Sequence, residues 1–140
     1  MRRYLIVANQ TLGGRPLLTR LKSLADGGPV SFYVVVPATA PKNHWTWTEG
    51  EAHAIAQRRL DAALEAFREL GAEVDGSVGA ERPMDAIRDA LRGREIDEIM
   101  ISTLPAGVSR WMRQDLPHRV ARWFDLPVSH VIGEAERAAV

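Results

Sequence analysis

The sequence predicts an α/β fold: a single open sheet of five parallel strands with helices on both faces. Three observations support this prediction. Five short apolar runs alternate with stretches of helical periodicity, glycine or proline marks most of the junctions, and 140 residues suffice for one domain with a substantial core. Crossover connections in such a chain are right-handed and make the strands parallel. The predicted domain covers residues 1–133, and residues 134–140 form a polar tail.

The first two predicted strands, residues 4–8 and 32–36, are almost wholly apolar, as expected of strands that are covered on both faces. Between them, Pro16 suits the first turn of a helix that stops at the glycine pair 27–28. The apolar face of this helix is formed by leucines and one alanine at helical spacing: Leu17, Leu18, Leu21, Leu24 and Ala25.

A long second helix is expected next. Thr48 and Glu51 have the spacing of a capping box, which places the helix start there, and Gly71 closes the helix. The following strand, residues 73–78, alternates only weakly and contains Gly76. These two features are typical of an edge strand.

The second half continues the alternation. Pro83 begins a third helix, which ends at Gly93, and the apolar run 99–101 is short enough for a buried strand. The last strand is predicted at residues 127–132. This element order, β-α-β-α-β-α-β-α-β, completes the prediction of a parallel sheet.

The helical region 109–124 is predicted to be interrupted by Pro117. Asp115 is well placed to cap the second part of this region. Trp111 and Trp123 lie on its apolar face, so we expect both to be core or interface residues.

Composition excludes several classes of function. Lys+Arg and Asp+Glu both number 18, which argues against nucleic-acid binding by phosphate neutralisation. The absence of cysteine excludes thiol catalysis and disulfides, and the four histidines show no metal-ligand spacing, so we expect no metal site. The apolar run near the start is too short for a signal peptide or a membrane span, which predicts a cytoplasmic protein without a membrane partner.

Open parallel sheets bind ligands beyond the carboxyl ends of their strands, where the strand order reverses. If the first strand is central, that crevice lies between the turns at residues 9–14 and 102–109. The candidates for ligand contact therefore end the first, second and fourth strands or follow them in the turns: Ala8, Asn9, Gln10, Val36, Pro37, Ser102, Thr103, Gly107, Ser109, Arg110 and Arg113.

The stretch 107–113 is the best candidate for binding a phosphate-type anion. Ser109 is placed to cap a helix, exposed amides at the helix start would face the anion, and Arg110 or Arg113 would add positive charge. The alternative is an ordinary helix start with solvent-facing arginines, because arginine outnumbers lysine 16 to 2 in this chain.

The segment 37–47 is the longest irregular stretch, and it should leave the second strand at the same carboxyl edge. His44, Trp45 and Trp47 within it are candidates for a lid, since two tryptophans in a polar loop can stack on a base or cover a pocket. The alternative is packing on a neighbouring helix or in a dimer contact.

Over residues 3–132 the chain resembles universal stress proteins. The resemblance rests on the element order, on the start Leu5-Ile6-Val7-Ala8, and on an end in which Asp97 precedes an apolar strand and Leu126-Pro127-Val128 opens the last one. It implies the strand order 3-2-1-4-5. It also implies a homodimer paired through the last strand, with Val128, His130 and Ile132 as candidate contacts.

The nucleotide-binding loop of that family has the form G-x-x-G-x9-G-[ST], and this chain departs from it. In this chain, Ser102 and Pro105 stand at the positions of the first two glycines of that loop. Gln114 and Asp115 stand at the positions of its closing glycine and serine, and both join the candidate ligand residues. The aspartate that ends the first strand in nucleotide-binding members is replaced by Asn9 or Gln10. The resemblance therefore implies the fold and makes ATP binding doubtful.

Three hypotheses on function follow. The first is a non-catalytic binding or regulatory module that acts as a dimer, and the second is a regulator that binds a nucleotide or phosphate-type ligand through the altered loop 102–115. The third is a hydrolase or transferase acting on a small phosphorylated substrate. The sequence names no base and nucleophile for the third, and it contains no GxxxxGK[ST], GxGxxG or GxSxG motif.

Overall fold

The computed structural model describes residues 1–39 and 48–134. The predicted tail therefore lies outside the described residues, apart from Glu134. In chain order the elements are β1 (Arg2–Val7), α1 (Arg15–Asp26), β2 (Val30–Pro37), α2 (Glu49–Arg68), β3 (Glu73–Gly79), α3 (Pro83–Leu91), β4 (Glu98–Thr103), α4 (Arg110–Arg113), α5 (Leu116–Phe124) and β5 (Val128–Ile132).

The five strands form one parallel sheet in the order β3-β2-β1-β4-β5. This confirms the predicted fold class and strand order, including the edge position of β3. The central strand β1 pairs with β2 on one side and with β4 on the other, from Tyr4↔Glu98 to Val7↔Ile101. The sheet edges are formed by β3 and β5.

Alternate residues of each central strand contribute to two separate hydrophobic cores, because successive side chains of a strand point to opposite faces of the sheet. Tyr4 and Ile6 pack with Leu17 of α1 and Phe67 of α2. Leu5 and Val7 face the other side, where they pack with α3, α4 and α5. Helices therefore cover both faces, which explains why β1 is apolar at every position from Tyr4 onward.

Several predicted helix boundaries are confirmed by their caps. The Thr48 hydroxyl accepts a hydrogen bond from the amide of Glu51 (3.1 Å), as one half of a capping box does. Gly71 and Gly93 follow α2 and α3 with φ of +85° and +71°, a conformation that glycine adopts without strain. Among the described residues, no helix is long and apolar enough to cross a membrane.

One expectation for the last helical region needs correction. Asp115 occupies the N-cap position of α5, but its carboxylate makes no capping bond and instead lies 2.9 Å from Nδ1 of His118. Its φ of +54° lies in the left-handed region, whereas an N-cap residue is usually extended. Trp111 is buried, as expected, and Trp123 is 72% exposed, which leaves its expected role in an interface open.

Candidate functional site

The candidate site lies at the carboxyl edge of the sheet, where β1 and β4 are neighbours. The chain leaves β1 toward α1 on one face and leaves β4 toward α4 on the other. The connections therefore separate and leave a crevice between them, which is the usual ligand position in open α/β sheets.

A cleft occupies this position. The space between its walls, including the part open to solvent, is about 690 Å³. It is lined by residues from β4, α2, α4 and the turns that follow β1, β2 and β4: Asn9, Gln10, Thr11, Thr39, Ala52, Ile55, Arg59, Ser102, Thr103, Leu104, Val108, Ser109, Arg110 and Trp111.

Two hydrogen-bonded groups build the cleft floor. The buried Asn9 amide donates to the carbonyl of Pro37 (2.8 Å), and its oxygen accepts from the Arg59 guanidinium. The hydroxyls of Thr11 and Ser102, both buried, are 2.6 Å apart. Asn9 thus joins β1 to β2 and to α2, and the Thr11–Ser102 contact joins the β1 turn to β4.

Thr103 links the cleft to the edge strand β5. Its hydroxyl donates to the carbonyl of Leu104 (2.8 Å) and lies 2.8 Å from Nε2 of His130. Burial lowers the pKa of His130, which favours the neutral ring. A neutral imidazole can donate to the Thr103 hydroxyl or accept from it, depending on its tautomer, so the contact ties β5 to β4 without fixing which atom donates.

Backbone amides of the loop between β4 and α4 form hydrogen bonds within the loop itself. The amides of Val108 and Ser109 both donate to the carbonyl of Pro105 at 3.0 Å, and the Ser109 hydroxyl accepts from the amide of Met112 at 3.1 Å. Ser109 thus caps α4 as the sequence indicates. The same bonds engage the amides of Val108 and Ser109 inside the turn, so these two groups do not face a ligand as expected.

The charged side chains among the described residues that line the cleft are two arginines. Arg59 reaches it from α2 and Arg110 from the start of α4, and no Asp or Glu lines it among the described residues. The remaining polar groups are neutral amides and hydroxyls. Such a lining attracts an anionic ligand, because guanidinium groups form charge-assisted hydrogen bonds with carboxylates and phosphates.

Six of the residues singled out from the sequence meet in this cleft: Asn9, Gln10, Ser102, Thr103, Ser109 and Arg110. Ala8 and Val36 are fully buried beneath it, and Pro37 contributes its backbone carbonyl to Asn9. Gln114 lines a neighbouring cavity.

Gly107, Arg113 and Asp115 line neither space. The candidate lid residues His44, Trp45 and Trp47 lie outside the described residues.

Sequence reasoning missed several wall residues. Thr11 lies in the turn that was assigned to the crevice, so its hydroxyl could have been included. Nothing in the sequence marks Arg59 as a cleft residue, because it is one of 16 arginines and lies on a helix fifty positions from Asn9. Trp111 was assigned to packing, and it both packs in the core and forms a cleft wall.

Within residues 1–39 and 48–134, no group of three or more His, Asp or Glu side chains is close enough to hold a metal ion. Two of the four histidines of the chain form side-chain hydrogen bonds in this part of the structure: His118 with Asp115, and His130 with Thr103.

Comparison with known proteins identifies the fold. No protein-family model matches the sequence, and no curated protein matches it significantly. A universal stress protein from Archaeoglobus fulgidus superposes with a TM-score of 0.59, at 17% identity over 94% of this chain and 93% of that one.

Two further structures match equally well. The Archaeoglobus fulgidus protein in complex with dAMP has a TM-score of 0.59 at 16% identity, over 94% of this chain and 98% of that one. A universal stress protein in complex with cAMP has a TM-score of 0.59 at 13% identity, over 95% and 98%. The resemblance seen in the sequence is therefore confirmed: this chain has the universal stress protein fold, with a sequence far from these proteins.

Proposed function

We propose that this chain is a non-catalytic binding module of universal-stress-protein fold whose ligand is a compact organic anion of the nucleoside monophosphate class. The observation that carries the proposal is the cleft, which two arginines line and which no carboxylate lines among the described residues. Two structural neighbours in complex with dAMP and cAMP support the ligand class. A cytoplasmic location remains a prediction from the sequence.

The walls suit such a ligand. Apolar side chains from three elements (Ile55, Val108 and Trp111) offer contact area for a flat heterocycle. The amide and hydroxyl groups of Asn9 and Thr11 line the same cleft and can fix the orientation of the ligand. Arg59 and Arg110 supply the positive charge for a phosphate.

ATP is expected to gain little over a monophosphate. Pro105 has no amide hydrogen, and the amides of Val108 and Ser109 are bonded to its carbonyl, so this loop offers a triphosphate few donors. The replacement of the family's closing serine by Asp115 is a weaker reason, because Asp115 lines neither cavity and contacts His118.

Binding is favoured over the hydrolase or transferase hypothesis because of the side chains that line the cleft. Among the described residues, no Asp, Glu, His, Lys or Tyr lines it. A nucleophilic hydroxyl requires a neighbouring base that accepts its proton, and the described lining offers none.

Isothermal titration with AMP, adenosine and ATP–Mg tests this proposal. With about 0.3 kcal/mol per non-hydrogen atom for a ligand of about 23 such atoms, AMP should bind with a Kd on the order of 10 µM. Adenosine should bind at least about tenfold more weakly, because it lacks the charge that the arginines recognise. ATP–Mg should bind no more tightly than AMP.

The matched variants are Arg59→Gln/Arg110→Gln in the cleft and Arg20→Gln/Arg68→Gln on exposed surfaces of α1 and α2. Arg59→Gln/Arg110→Gln should weaken AMP binding by about tenfold or more. Arg20→Gln/Arg68→Gln loses the same net charge and should keep the affinity for AMP within about twofold of the wild-type value. Equal effects of both pairs, or equal affinities of AMP and adenosine, would contradict the proposed anion site.

We further propose that the protein is a homodimer paired through β5. This strand lies at an edge of the sheet and has Ile132 58% exposed at its end, while Trp123 of the adjoining α5 is 72% exposed. Trp123 lies seven residues from the buried Leu116, nearly two full turns, and so projects from the apolar side of α5. A two-fold contact would cover this edge together with its apolar neighbours.

Light scattering at tens of micromolar tests the dimer. The wild type should have the mass of two chains, and Ile132→Asp should shift the equilibrium toward the monomer by placing two like charges at a two-fold contact. Ala66→Asp is the control, since Ala66 is exposed on α2, which packs on β2 and β3 at the other end of the sheet. A monomeric wild type, or equal behaviour of the two variants, would refute pairing through β5.

A further inference from the structure

A second cavity adjoins the cleft on the α3 side of the carboxyl edge. It is bounded by the start of α3 and by α4 and α5, with about 1040 Å³ between its walls including the part open to solvent. Thr39, Arg110 and Trp111 line both spaces, so α4 forms the divider between them. The two spaces therefore adjoin at Arg110.

The second cavity carries its own positive charge. Arg82 and Arg119 line it in addition to Arg110. Neither Arg82 nor Arg119 forms an ion pair with a carboxylate of the described residues, and the recorded bond of Arg119 is a long one, 3.5 Å, to the carbonyl of Gln114. Guanidinium groups placed this way are available to an incoming anion.

The acidic residues of this cavity offset the charge only in part. Asp85 is paired with Arg88 at 3.1 Å, so its carboxylate is already engaged on its own helix. Glu81 is exposed, and its backbone carbonyl, not its carboxylate, holds the Thr39 hydroxyl at 2.9 Å. Among the described residues, Arg82 and Arg119 thus meet two carboxylates in this cavity, one of which is already paired.

We propose that the second cavity holds a second anionic group of the ligand that occupies the cleft, so that the ligand is an organic dianion whose two anionic groups lie apart, such as a nucleoside 3′,5′-bisphosphate. This inference rests on the proposed function of the cleft and narrows its ligand class. One anionic group lies near Arg59 and Arg110, and the other lies between Arg82 and Arg119. Trp111 separates the two positions, and because it is buried this wall is fixed.

The test compares AMP with adenosine 3′,5′-bisphosphate by isothermal titration at low ionic strength, where the charge of exposed arginines is least screened. The wild type should bind the bisphosphate at least about tenfold more tightly than AMP. In Arg82→Gln/Arg119→Gln, the ratio of the two dissociation constants should fall to within about twofold of one. Arg20→Gln/Arg122→Gln, with the same loss of charge at exposed positions outside both cavities, should keep the wild-type ratio.

The outcomes separate this inference from the proposed function. If AMP binds through Arg59 and Arg110 but the bisphosphate gains nothing, the cleft stands and the second anionic position is refuted. A gain that persists in Arg82→Gln/Arg119→Gln, or an equal weakening of both ligands in that variant, also refutes it. If the bisphosphate binds through Arg82 and Arg119 while AMP does not bind, the proposed cleft ligand is wrong and the second position is supported. If neither ligand binds the wild type, both proposals fail.

Discussion

Phe67→Ala should lower the free energy of unfolding by about 3–5 kcal/mol, the largest stability loss that we expect from a single substitution in this chain. Phe67 is 1% exposed and packs near the end of α2 against the core that faces β1 and β2. Removing the ring leaves a cavity between a long helix and the sheet, where neither surface can move inward without breaking other contacts.

Chemical denaturation of Phe67→Ala and Trp123→Ala provides the comparison. Both variants remove an aromatic ring from a helix, but Trp123 is 72% exposed, so its loss should change stability by no more than about 0.5 kcal/mol in dilute, monomeric protein. Similar losses in the two variants would mean that α2 does not pack on the sheet as described.

Asn9→Leu should have the second largest effect, because Asn9 serves both stability and the cleft. The substitution removes the hydrogen bond that the Asn9 amide donates to the Pro37 carbonyl. It also removes the Asn9 oxygen that accepts a hydrogen bond from the Arg59 guanidinium. Pro37 keeps a second partner, the amide of Thr39 at 2.8 Å, so we expect a loss of about 2 kcal/mol rather than the full cost of an unpaired buried carbonyl. AMP affinity should fall as well, since Arg59 loses the contact that fixes its position.

Gln10→Leu is the matched control for Asn9→Leu. Gln10 lines the same cleft, is exposed, and forms no recorded hydrogen bond to another described residue. Its replacement should change the denaturation midpoint little and should reduce AMP affinity less than Asn9→Leu. If Asn9→Leu were as stable as the wild type, the Asn9 amide would not be joining β1, β2 and α2.

Much of the fold was predictable because its determinants are local. A capping hydroxyl such as that of Thr48 bonds an amide three residues away, and the apolar run of β1 follows from coverage on both faces. Gly76 marked β3 as an edge strand, and the structure places β3 there. The carboxyl edge of β1 and β4 was likewise predictable as the place of a site, since the topology alone fixes it.

The last helical region shows where local reasoning fails. Trp123 has the spacing of a buried residue, but only packing decides whether anything lies opposite it, and in the single chain nothing covers most of its surface. Asp115 has the right chemistry for a cap, but its backbone adopts φ of +54° and its carboxylate contacts His118. A local pattern predicts on which face of a helix a residue lies, and only the tertiary structure shows which residues pack against that face.

By itself, the sequence determined the element order, the parallel sheet and the edge at which the candidate site lies, because periodicity, caps and crossover rules act over short stretches of chain. Only the tertiary structure decided the chemistry of that edge. It brings Arg59 to Asn9 across fifty residues, engages the amides of Val108 and Ser109 within their own turn, and sets Arg82 and Arg119 around a second cavity. These contacts join residues far apart in the chain or depend on the exact path of a loop, and one-dimensional patterns carry no record of either.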